Sequence, residues 1–262
     1  MSLFRINLLL CMFALSGCAN TANTNPEDPL EPFNRSVYKF NDRVDKAVVK
    51  PVAKAYKKIL PEPARNMVRN FFSNLDDIVV TLNALLQLKF SQAASDGSRF
   101  LLNSTFGVLG LFDFADHLEK HNEDFGQTLG FWGVKSGPYL VLPFLGSSTI
   151  RDGTGLYVDG QTNAMGHIED IRLRNQLYTT NLVSVRAGLL QQEEVFEDAA
   201  NIDRYAFLRD AYLQRRLHLV HDGSPPRERI NDESDEDFEE GSAGTVTTEP
   251  GGAVQPDEAP IK

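Results

Sequence analysis

Two groups of residues in this chain have the types and spacing to do chemistry. The first is Leu15-Ser16-Gly17-Cys18. Small residues in front of a cysteine resemble a lipobox, where a peptidase reaches the bond before an already lipidated thiol. The chemistry expected there is acylation of Cys18 and cleavage ahead of it. The second is His117 and His121, four residues apart, with Glu119, Glu123 and Asp124 nearby. On a helix such a pair shares one face and can hold a metal ion. Neighbouring glycines oppose a helix, and no further cluster of histidines completes a ligand set. The expectation is therefore two solvated imidazoles and no metal. The sequence carries no G-x-S-x-G elbow, no G-x-x-x-x-G-K-[ST] phosphate loop and no H-E-x-x-H string. Neither an enzyme nor a cofactor is expected.

The residues before Cys18 support the acylation reading. A single positive charge at Arg5 precedes an apolar run from Ile6 to Leu15, as in a signal peptide spanning residues 1–17. That run is about half the ~20 residues a membrane-crossing helix requires. Of the two cysteines, Cys11 leaves with the signal, so the mature chain has one thiol and no internal disulfide. An ordinary secreted protein with a chance cysteine is the alternative. Residue 19 is Ala, and bacterial lipoproteins without Asp after the cysteine go to the outer membrane.

The ends differ in composition from the middle. From His221 to Lys262, 12 acidic residues face three basic ones, which accounts for −9 of the net charge of −10. With Pro225-Pro226 and the acidic run 232–240, this tail lacks the apolar residues needed to fold. It reads as a disordered, solubilising segment, with an acidic docking arm as the alternative. A nearly neutral exported body with an acidic tail does not suit nucleic acid. Residues 18–33, with Pro26, Pro29 and Pro32, read as a short tether to the lipid anchor.

The body, 34–220, reads as mainly α. Asn34 or Ser36 can cap a helix whose apolar face carries Val37, Phe40, Val44, Val48 and Val52. Its opposite stripe, Lys39, Arg43, Lys46, Lys50, Lys54 and Lys57, steps by three and four. Such a stripe faces either anionic headgroups or plain solvent. Pro51 is expected to kink this helix. A second helix runs from Ala64 to about Phe72, and after Ser73-Asn74 a stretch from Leu75 to Leu88 is apolar nearly all round. That stretch must be buried in protein or lipid. Further helices are expected over 91–103, 168–191 and 203–220. Between Gly126 and Gly160 eight glycines and two prolines make regular helix unlikely, and 126–145 has strand character.

Several strings resemble the MlaA (VacJ) family of outer-membrane lipoproteins. They are Asp28-Pro-Leu-Glu-Pro-Phe-Asn34-Arg35, Pro63-Ala-Arg-Asn66, Phe100-Leu-Leu-Asn103 and, most specifically, Asp124-Phe-Gly126-Gln-Thr-Leu-Gly130-Phe-Trp-Gly133 leading to Gly137-Pro-Tyr-Leu-Val-Leu-Pro143 and Arg151-Asp152. A last string is Arg209-Asp-Ala-Tyr-Leu-Gln-Arg-Arg216. The resemblance implies a ring-like bundle of amphipathic helices with one glycine-rich hairpin loop, shallowly embedded in a leaflet. It implies removal of misplaced phospholipid from the outer leaflet through an amphipathic channel. Trimeric porins and a soluble periplasmic carrier, MlaC, are the implied partners. In the hairpin region Gly133 and Gly137 become candidate hinges, and Trp132, Tyr139 and Phe144 candidate lipid-facing residues. A structural lipoprotein that only docks porins is the competing reading. A lipid hydrolase lacks its nucleophile.

Cys18→Ser is expected to abolish labelling by a radioactive fatty acid and to release the chain from the membrane, because interfacial anchors are weaker than covalent acyl chains. Persistent label would place acylation elsewhere.

Overall fold

The computed structural model describes residues 28–199 and 203–225. The expected signal peptide, Cys18, most of the tether and nearly all of the acidic tail lie outside the described residues. The chain runs through helix α1 (Glu31–Val44), a π-helical turn (Asp45–Val49), α2 (Lys50–Ile59), α3 (Glu62–Leu86), α4 (Phe90–Thr105) and α5 (Phe125–Phe131). Strands β1 (Tyr139–Leu142) and β2 (Gly146–Thr149) follow, then α6 (Ile150–Thr162), a 3-10 turn (Ala164–His167), α7 (Ile171–Ala199) and α8 (Arg204–Val220). The fold is mainly helical, as expected.

Four local expectations are corrected. Asn34 and Ser36 do not cap α1, which starts at Glu31 with Pro32 in its first turn. The chain is already folded there, inside the stretch read as tether, and Asp28 is fully buried. Nor does α3 break at Ser73-Asn74. The Asn74 amide donates to Ser104 Oγ on α4 (2.9 Å), and so it serves packing instead of ending a helix. The glycine-rich region holds two helices, each started by a side-chain cap. Asp124 accepts from Gln127 N (2.8 Å) and Thr149 from Asp152 N (3.1 Å). Its glycines set a close crossing of α5 and α6: a Cβ on Gly155 would lie 2.3 Å from the Gly126 nitrogen.

The strands pair antiparallel, from Tyr139 opposite Thr149 to Leu142 opposite Gly146. The other edge of β1 is completed by side chains of α1. Asn34 Nδ2 donates to Tyr139 O (3.0 Å) and Asn34 Oδ1 accepts from Val141 N (2.9 Å). Two turns on, Asn41 donates to Leu142 O (2.9 Å) and accepts from Phe144 N (2.8 Å). A carboxamide carries the donor and acceptor of a peptide group, so two asparagines on one helix face stand in for a third strand. Asn34 also donates to Asp28 Oδ1 (2.9 Å), and the other oxygen of Asp28 takes the Tyr205 hydroxyl. Tyr139, Val141 and Tyr205 form the small apolar core around this junction.

Elsewhere the interior is polar. Among the described residues seventeen polar or charged residues are buried against twelve apolar ones, five of these alanines. On α3 the buried positions include Asn74, Asp77 and Asn83, while Leu82, Leu85 and Leu86 point out. Asn83, Gln87, Glu123 and Thr128 bond one another where α3 meets α5. Arg99 on α4 holds Asp113 through both oxygens and donates to the carbonyls of Ala115 and Leu118. It thereby ties down a loop that exposes Phe106, Leu109, Phe112 and Phe114. No helix among the described residues is long and apolar enough to cross a membrane. Packing runs from α1 to β1, from β2 to α6, then to α5, α3, α7 and α2, which continues α1 through the π turn. The path of contacts returns to its start.

Asn34→Leu keeps the branched shape but leaves the Asp28 carboxylate, the Tyr139 carbonyl and the Val141 amide short of a partner. It should cost about 3 kcal/mol, read as a lower unfolding midpoint in detergent beside the exposed control Ser36→Ala. An unchanged midpoint would mean that the junction is not what holds the hairpin.

Candidate functional site

A wide cleft lies where α3 and α7 run alongside the 3-10 turn. It encloses about 550 Å³. From α3 it takes Arg69, Phe72, Ser73, Leu75 and Asp76; from the turn Asn163 and Met165; from α7 Asn181, Ser184, Val185, Gly188, Leu189 and Gln192. The spacing on α7 explains its two-sided lining. Asn181, Ser184, Gly188 and Gln192 step by three and four, and Leu182, Val185 and Leu189 do the same one position on. One helix therefore presents a polar ridge beside an apolar ridge. A smaller cavity of about 120 Å³, lined also by Tyr56, Lys57, Glu62, Arg65 and Asn66, shares Arg69, Ser184 and Gly188 with the first. Together they form one amphipathic path from the middle of α3 to the turn between α2 and α3. Such walls suit a molecule with an apolar and a polar part.

None of the hairpin residues singled out from the sequence lines this path. Phe144 is 71% exposed at the hairpin tip, where its ring meets Phe40 edge to face at 5.3 Å. Trp132 is half exposed, and its Nε1 donates to Leu86 O (3.2 Å). Tyr139 is 2% exposed and bonds Ser147 Oγ (2.8 Å). It cannot face lipid, because α1 and α8 cover it. Gly133 and Gly137 have φ of +88° and +69°, which glycine adopts without strain and proline cannot adopt.

The basic stripe also divides. Lys39, Arg43 and Lys54 are exposed, Lys46 pairs with Asp42 (2.8 Å) and Lys57 lines the smaller cavity. Lys50 is turned inward and donates to Glu193 on α7 (3.1 Å), so it does not face headgroups. The π turn just before it causes this by rotating the helix that follows. Burial raises the Glu193 pKa, but Arg186 and Lys50 outweigh it and hold the group at about 2. His121 bonds the buried carboxylate of Asp96 through Nδ1 (2.9 Å) and backbone N (3.1 Å), while His117 is exposed. Among the described residues no three His, Cys, Asp or Glu are grouped to hold a metal.

Beneath the hairpin, a charged cluster that sequence reasoning passed over joins three elements. Arg216 on α8 bonds Asp124 through both nitrogens and Asp152 at 2.9 Å, and Tyr212 donates to Asp152 Oδ2 (2.9 Å). These residues line a cavity of about 200 Å³ with Leu142, Leu145 and Leu156. Their signal in the sequence was only that Asp124, Asp152 and Arg216 fall within the strings that resemble the family.

The family model described as MlaA lipoprotein matches residues 26–218. The Escherichia coli K12 protein named "Intermembrane phospholipid transport system lipoprotein MlaA" is 36% identical over 234 residues, covering 85% of this chain and 91% of that one. The Haemophilus influenzae protein of the same name is 34% identical over 233 residues, covering 83% and 90%. A solved structure from "Structural basis for maintenance of bacterial outer membrane lipid asymmetry" superposes with a TM-score of 0.65 at 34% identity, over 74% of this chain and 98% of that one.

The charged cluster makes a pH prediction. Burial raises the pKa of Asp124 and Asp152, but Arg216 outweighs it and leaves both below the ordinary 3.8. A carboxylate with a depressed folded-state pKa stabilises the fold above its unfolded value, and that stability fades as pH falls through the folded one. The unfolding midpoint in detergent should therefore drop as pH goes below about 4. Arg216→Leu should cost about 3 kcal/mol near neutrality and flatten or reverse this acid dependence. An unchanged acid profile in that variant would show that the two carboxylates do not depend on Arg216.

Proposed function

This chain belongs to the MlaA lipoprotein family, and on that premise we propose that it removes misplaced phospholipid from the outer leaflet of the outer membrane. The lipid passes through the cleft between α3 and α7 to a soluble periplasmic carrier, MlaC, and the protein works beside trimeric porins. The acyl chains on Cys18 hold it to the inner leaflet, where the helical ring is shallowly embedded. The observation that carries this reading is the amphipathic cleft, set in a body with a polar interior and an apolar outside. A docking adaptor needs no such cleft.

Each wall has its task. Phe72, Leu75, Val185 and Leu189 give acyl chains an apolar track, and Ser73, Asp76, Asn181 and Gln192 give the headgroup a polar one. No bond of the lipid is made or broken. The hairpin packs on α1, α6 and α8, and movement about Gly133 and Gly137 would adjust its position.

Gly188 is the place to test this. It lines both cavities, and a Cβ built there meets nothing within 4 Å. Gly188→Trp should fill the path without disturbing its neighbours. The expected outcome is normal abundance and acylation with outer-leaflet phospholipid raised toward the level of a strain lacking the protein, read as palmitate added to lipopolysaccharide. Unchanged palmitoylation at normal abundance would remove the cleft from the route and favour the adaptor.

A further inference from the structure

The smaller end of the path has a chemistry of its own. Lys57, Arg65 and Arg69 line it against one carboxylate, Glu62, in a body that is otherwise nearly neutral. Arg65 spends one nitrogen on the Lys57 carbonyl (3.0 Å), which closes the end of α2. Neither the Lys57 ammonium nor the Arg69 guanidinium has an acidic partner among the described residues. Beside them the Tyr56 hydroxyl is buried and lacks a hydrogen-bond partner. A buried hydroxyl without a partner is costly, and most find one. Here Tyr56 and three cationic side chains line a cavity of about 120 Å³ that shares Arg69, Ser184 and Gly188 with the larger cavity and its apolar track.

Resting on the transport reading above, we propose that this pocket is an anion station that binds the phosphodiester of a phospholipid whose acyl chains lie in the adjoining cavity. Tyr56 donates to a phosphate oxygen. Lys57 and Arg69 supply charge, and the free edge of Arg65 adds donors. The station selects for a phosphate-bearing headgroup and against an uncharged diacylglycerol with the same chains. Free phosphate satisfies the same donors but leaves the apolar cavity empty, so it binds more weakly.

The test uses full-length acylated protein in detergent and two photoreactive probes with identical diazirine-bearing chains, phosphatidylglycerol and diacylglycerol. Wild type should crosslink phosphatidylglycerol in preference to diacylglycerol. Lys57→Gln with Arg69→Gln, neither of which removes a bond seen in the fold, should lower phosphatidylglycerol crosslinking about fivefold, to the diacylglycerol level. Tyr56→Phe should lower it less, and Arg69→Lys should keep part of it. Equal labelling by both probes in wild type, or undiminished labelling in the double variant, would overturn the proposal. So would displacement of the lipid by millimolar inorganic phosphate, which would make the pocket a site for the free anion. Failure here is distinct from failure of the transport reading. If Gly188→Trp blocks passage while the double variant binds normally, the route stands and the station falls.

Discussion

Asn34, fully buried, makes three bonds, to a carboxylate, a carbonyl and an amide, and the hairpin is positioned by them. The same requirement recurs through the molecule. When much of the outer surface is leucine and phenylalanine, polar groups collect inside, and each must find its partner there. Asn83 with Thr128, Arg99 with Asp113, His121 with Asp96 and Arg216 with two aspartates are solutions to one problem. In an aqueous protein the apolar core holds the helices and polar pairs adjust them. Here the pairs hold the helices, and many large apolar side chains are turned outward.

The cleft follows from that inversion. A helix with a fully apolar outer stripe and a polar inner one leaves, where two such helices do not quite meet, a gap walled by both kinds of side chain. On α7 the border between the stripes runs along the cleft itself, between Ser184 and Val185 and between Gly188 and Leu189. Where the two cavities meet, α7 contributes only the small Ser184 and Gly188, and Gly188 adds no side chain at all.

Periodicity made most helices legible, with α4 and α8 expected within a residue or two of their ends. It failed where polar residues do unusual work. Asn74 read as a break because asparagine favours loops, yet its amide joins two helices. Glycines 126 and 155 read as loop residues, when they allow α5 and α6 to touch. Tyr139 suited a membrane interface by type, and its hydroxyl is instead satisfied by Ser147 in the core. The cleft was missed because the apolar and polar ridges of α7 each looked like an ordinary amphipathic face; only the position of α3 makes their border a lining. The strings that carried the family resemblance turn out to hold Asn34, Asn103, Asp124, Asp152 and Arg216, the residues of the internal bonds.

The π turn at Asp45–Val49 sets a rule of chain length for this part of the molecule. A π turn holds more residues than an α turn over nearly the same path. It also precedes Pro51, whose ring and missing amide a regular helix would not accommodate. Before it, Asn34 and Asn41 address the hairpin; after it, Lys50 addresses Glu193 on α7. Losing one residue between Asp45 and Val49 could restore an unbroken helix while swinging everything downstream by about 100°. The two halves would then no longer serve both neighbours. Asp45 within the turn holds Arg186 on α7 through both oxygens, and a deletion would displace that pair as well, so the information the segment stores is a count.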